Sequence, residues 1–121
     1  MPAQAVPVLL VLVLTIFSGV ADSQGFIHAA RIWEGTRPLW GEVAGSALGF
    51  AGGAVCYWLA LRYLNELGVV APEIQTLLWF AVTIVGVAVY SGRFLQWPLP
   101  DQVVALGVLA GIGWLVLRGG G

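Results

Sequence analysis

The chain has 121 residues, 60% of them hydrophobic and only 9% charged, with a formal net charge of -1. Soluble domains carry about 25% charged residues, and so short a chain cannot bury this much apolar surface in one aqueous core, so lipid is the expected solvent. No basic tract offers a footprint for nucleic acid; the one cysteine has no second cysteine to pair with, and with one histidine a structural zinc site would have to draw its remaining ligands from carboxylates, so neither metal nor cofactor is expected.

A spanning helix needs roughly 20 mostly apolar residues whose backbone satisfies its own hydrogen bonds. The first such run covers residues 7–30. The small residues Ser18-Gly19-Val20-Ala21 ahead of Asp22 resemble a signal cleavage site, but Met1 to Gln4 contains no Lys or Arg, which favours a retained helix. Thr15, Ser18, Asp22 and Gly25 follow i, i+3, i+7, i+10 spacing and share one face, which should point inward. An ionisable group within an apolar span costs roughly 2.5 to 3.5 kcal/mol at the helix centre. Burial disfavours its charged form, which suits Asp22 to proton exchange or to pairing with a cationic ligand. The alternative is an interfacial carboxylate, solvated or bonded to a nearby Arg; a span over residues 12–31 places Asp22 near the midplane and one over 7–26 near an interface. Gln24, His28 and Arg31 form a second polar face, read as a proton relay or as side chains reaching into the headgroups.

The stretch Glu34-Gly35-Thr36-Arg37-Pro38 breaks the chain before a second run at 43–61, where Gly45, Gly49 and Gly53 recur every fourth residue. Another backbone can approach along such a stripe, within the chain or from a partner. Cys56 lies in the same run and reads as a small packing residue. After Asn65-Glu66-Leu67-Gly68 and Pro72, a third run covers 74–90. Glu73 follows Pro72 and suits a helix start; Thr76 and Thr83 lie on its face. Ser91-Gly92-Arg93 and Pro98-Leu99-Pro100-Asp101 then introduce a fourth run at 103–117, with Gly107 and Gly111 at the same small-residue spacing. Trp58, Trp79 and Trp114 fall within or near the spans and either pack there or line a ligand path.

The predicted fold is therefore all-α and integral to a membrane: one domain over 1–121, an antiparallel bundle of four transmembrane helices. Short loops make successive helices antiparallel neighbours, and Trp33, Trp40, Tyr63, Tyr90 and Trp97 sit near the ends, where amphipathic rings favour the headgroup level. Arg31, Arg37 and Arg93 on one side face Arg62 and Arg118 on the other, a bias too small to fix orientation. No nucleophile elbow, phosphate loop or metalloprotease helix is present, so no enzymatic activity is expected.

Ala21-Asp22, the stretch Glu34-Gly35-Thr36-Arg37-Pro38-Leu39-Trp40, Tyr57-Trp58-Leu59 and Trp79 together resemble the small multidrug resistance family, within the drug/metabolite transporter superfamily. The resemblance covers residues 21–117. It implies proton-coupled export of a cationic or lipophilic compound by an antiparallel homodimer in a bacterial inner membrane. Asp22 of both copies would alternate between proton and substrate, Trp79 would line the path, and Thr76 stands where the family carries a substrate-contacting Tyr; Ser18 is a further candidate for proton or substrate binding from the polar face it shares with Asp22. The family acid is Glu; here it is Asp22. Related four-helix proteins serve as subunits of lipid-linked sugar flippases, and the rival expectations are a subunit of that kind or a non-transporting accessory or structural subunit of a larger membrane complex.

Overall fold

The computed structural model describes residues 5–119; the segment Met1 to Gln4 considered for a signal n-region lies outside the described residues. Helix α1 spans Ala5–Ala29, α2 Trp40–Glu66, α3 Pro72–Ser91 and α4 Leu99–Gly119. All four are long and apolar enough to cross a membrane. The protein is an all-α, four-helix integral membrane protein.

Between α1 and α2 the chain forms a two-stranded hairpin, β1 Trp33–Glu34 and β2 Arg37–Pro38, pairing Trp33 with Pro38 and Glu34 with Arg37. Gly35, at the first of the two central positions, has a φ of 66°, which L side chains resist and which suits a type II′ turn. The helices overrun their most apolar stretches because the backbone keeps its hydrogen bonds past the hydrocarbon while long charged side chains reach for water. At 27 residues, α2 measures about 40 Å by its rise per residue, and Arg62 and Glu66 occupy its last turns. Pro72 opens α3, with Glu73 in the first turn, and left-handed Gly92 closes it. A 3-10 turn, Phe94–Gln96, leads into α4, where Gln102 Nε2 donates to the carbonyls of Leu95 and Trp97.

Helix α1 is the centre of the assembly, packed on α2 along one side and α3 along the other, while α4 packs chiefly on α3. The helices therefore line up in the order α2, α1, α3, α4. Successive partners fix the directions: Asp22, Gly25 and His28 meet Gly53, Gly49 and Gly45 in reverse order, whereas Gly19 and Ser23 meet Val82 and Gly86 in the same order. Helix α1 is thus antiparallel to α2 and parallel to α3.

The interior is small and polar, the exterior large and apolar. Among the described residues the buried hydrophobics are Val11, Ala60 and Leu64, whereas Ser18, Asp22, Ser23, Ser46, Gln75 and Thr83 are all buried. Large side chains such as Phe17, Leu48, Trp58 and Val104 face outward. In water this distribution would expose an extensive apolar surface; in lipid, close approach of small residues and hydrogen bonding is what joins helices.

Candidate functional site: a carboxyl enclosed by three helices

The small face of α1 lets two helices come close at once. On the α2 side, Gly49 presents its Cα to the α1 backbone so tightly that a Cβ there would stand 2.6 Å from the Gly25 nitrogen and 2.8 Å from the Ala21 carbonyl oxygen. One turn away a Cβ on Gly45 would meet the His28 ring at 2.9 Å, and one on Gly53 would run into the Asp22 carboxyl. The stripe Gly45, Gly49 and Gly53 thus lies against α1. Ser46 reinforces the contact by donating to the Gly25 carbonyl at 2.8 Å. On the α3 side, Gly19 and Ser23 receive Val82 and Gly86.

Asp22 stands where these two seams meet. It is 2% exposed. The indole Nε1–H of Trp79, from α3, donates to its Oδ2. Ser18, one turn earlier on α1 and fully enclosed, has its hydroxyl oxygen 2.9 Å from the Gly53 carbonyl oxygen and 3.4 Å from Asp22 Oδ2. One hydroxyl proton serves one acceptor at full strength, so Ser18 can either hold the α2 carbonyl or turn toward the carboxylate. A protonated Asp22 can in turn donate to Ser18 Oγ while Ser18 donates to Gly53.

Depth follows from the partners. Gly53 is the fourteenth of the 27 residues of α2, its midpoint, and Trp79 is the eighth of the 20 of α3. The cluster therefore lies near mid-span, although Asp22 itself is closer to the C-terminal end of α1. No Lys, Arg or His is paired with Asp22 among the described residues.

Beside Ser18 and Trp79 a void of about 10 Å³, near the minimum for one water, is bordered by Thr15, Tyr57 and Gln75. It lies on the side of the cluster toward the α2–α3 turn. The Tyr57 ring approaches the Trp79 ring at 6.0 Å. Asp22 is thus occluded from bulk solvent.

The other expected site residues fall elsewhere. Thr76 is exposed and donates to the Pro72 carbonyl of its own helix at 2.7 Å, making no hydrogen bond to the cluster. Thr83, one turn beyond Trp79, is buried with no hydrogen-bond partner for its hydroxyl among the described residues. Gly107 and Gly111 on α4 face open space. His28 bonds Glu42 across α1 and α2, Nδ1 to Oε2 at 2.6 Å, tying their ends near the first hairpin rather than relaying to Asp22. Among the described residues no three His, Cys, Asp or Glu side chains converge as metal ligands. Sequence reasoning missed the Gly53 carbonyl and Gln75 beside the cluster, and named Tyr57 only as part of the family resemblance. The glycine spacing signalled close approach of α1 and α2, but backbone acceptors leave no mark in a sequence.

The chain is matched by no family model, no curated protein and no solved structure.

Proposed function

We propose that this protein is a small proton-coupled transporter in which Asp22 is the coupling carboxyl and a cationic or lipophilic compound is the cargo. The observation that carries the reading is the enclosure of Asp22 near mid-span, with hydrogen-bond partners suited to both protonation states and no paired cation among the described residues. An acid in such a place is expensive to retain and marks a functional site by default. Occlusion fits one resting state of an alternating cycle, in which Trp79 and Ser18 release the carboxyl when α2 or α3 moves off the small face of α1. The resemblance to the small multidrug resistance family supports the same reading, with an antiparallel homodimer in a bacterial inner membrane as the working unit and no enzymatic step.

The second reading, an accessory subunit of a larger complex such as a lipid-linked sugar flippase, is favoured by α4, whose Gly107 and Gly111 are uncovered. Purification from native membrane in mild detergent, with mass spectrometry of every co-migrating chain, separates the two. A homo-oligomer recovered alone is the result the transport reading predicts; stoichiometric recovery with a larger assembly would replace it with the subunit reading.

A further inference from the structure

Helices α3 and α4 do not close on each other along their length. Near the turn that joins them they leave a groove of about 860 Å³, within the size range of ligand sites. Its walls are Phe80, Ile84 and Ala88 on α3 and Ala105, Leu106 and Leu109 on α4. The groove is separate from the Asp22 cluster, none of whose hydrogen-bonded side chains lines it.

Its dimensions match one leaflet. From Phe80 to Ser91 the α3 wall rises about 16 Å, and half of a ~30 Å hydrocarbon core is about 15 Å. One end thus lies near the midplane and the other at headgroup level, where the rim carries Arg93, Phe94 and Trp97. Aromatic rings of this kind mark the interface. Arg93 is exposed and forms no ion pair among the described residues. The carboxylates at this end are otherwise disposed: Glu34 meets Arg37 at 3.8 Å, Glu42 meets His28, and Asp101, in the first turn of α4, makes no pair with Arg93.

We propose that this groove is a binding site for an anionic phospholipid, with one acyl chain laid between α3 and α4 and the phosphate held by Arg93. An apolar channel one leaflet deep, ending at an unpaired guanidinium, complements a lipid whose chain and charge are separated in the same way. Arg93 can bind phosphate through two parallel N–H donors. The occupant also fills the gap that leaves α4 attached chiefly through α3.

The test is native mass spectrometry of the full chain in detergent, incubated with equal amounts of phosphatidylglycerol and phosphatidylcholine of identical acyl chains. The wild type should retain phosphatidylglycerol over phosphatidylcholine by about fivefold, the scale of one basic residue at an anionic surface. Arg93→Gln should abolish the preference while still retaining lipid. Ala105→Phe, which fills the groove, should lose both lipids, whereas Ala110→Phe, on the exposed side of α4, should behave as wild type. Equal retention of the two lipids by the wild type would overturn the proposal. So would undiminished retention by a folded Ala105→Phe variant, or a change in its oligomeric state with lipid retention intact, which would assign the groove to a second copy of the chain. Should Ala105→Phe fail to fold, the headgroup preference of Arg93→Gln decides alone: its persistence contradicts the site.

Discussion

The indole of Trp79 donates to the carboxyl of Asp22, joining α3 to α1 beside the midpoint of α2. Trp79→Phe keeps an aromatic ring against Tyr57 and Phe80 but removes the donor. A hydrogen bond of this kind contributes about 1 to 3 kcal/mol, most when the acceptor is charged. Thermal unfolding in detergent should show a loss within that range, and Trp79→Ala should lose more, about 3 to 5 kcal/mol, through the added cavity. No loss in Trp79→Phe beside a full loss in Trp79→Ala would mean that packing alone fixes Trp79.

The glycines of α2 should differ sharply in their tolerance of a methyl group. Gly53→Ala crowds the Asp22 carboxyl and Gly49→Ala crowds the α1 backbone, so each should be destabilised by about 1 to 3 kcal/mol. At Gly52 the added Cβ would sit 3.8 Å from the Ala21 Cβ, an ordinary contact. Gly52→Ala should be neutral or gain up to about 1 kcal/mol from the helix preference of alanine. Gly107→Ala and Gly111→Ala, in open space, should follow Gly52→Ala in the isolated chain. Melting temperatures of the five variants check the order.

Much of this arrangement is legible in the sequence, and the rest is not for identifiable reasons. Lipid leaves the backbone few options, so apolar runs at Val43 to Leu61 and Ile74 to Tyr90 announce helices with no knowledge of their neighbours. The i, i+3, i+7 spacing of Thr15, Ser18 and Asp22 likewise announces a polar face. Hydropathy cannot say which helix meets which, because lipid and protein are equally apolar partners for Leu or Val; the order α2, α1, α3, α4 comes from where Gly19, Gly49, Gly53 and Gly86 allow close approach. Thr76 shows the same limit from the other side. A hydroxyl on a helix can bond its own preceding turn, so its presence near Trp79 in sequence does not bring it to Asp22.

That distinction is testable. Thr76→Val removes only a bond to the Pro72 carbonyl on an exposed surface, so cargo uptake into proteoliposomes should stay within about twofold of wild type, well under the tenfold that 1.4 kcal/mol would produce. Ser18→Ala removes the hydroxyl shared between Gly53 and Asp22. It should impair uptake and lower stability by about 1 to 2 kcal/mol. If Thr76→Val were the more damaging of the two, the site would have to be redrawn around the exposed face of α3.

The contact between His28 and Glu42 clasps the ends of α1 and α2 next to the β1–β2 hairpin. Both side chains are about a third exposed, so solvent screens the pair, and a double-mutant cycle of His28→Ala and Glu42→Gln should return a coupling of about 1 kcal/mol or less. Neither change should alter uptake beyond the effect of stability. A loss of proton coupling in His28→Ala would instead assign the histidine to the proton route.

The account turns on Asp22 exchanging a proton when cargo binds. The most direct measurement is proton release from the purified, unbuffered protein in detergent on addition of tetraphenylphosphonium, a lipophilic cation, with Asp22→Asn as the control. Release by the wild type, falling to zero in a folded Asp22→Asn variant, is the predicted result. Cation binding with no proton release, or the same release from both proteins, would contradict the assignment of Asp22 as the coupling group.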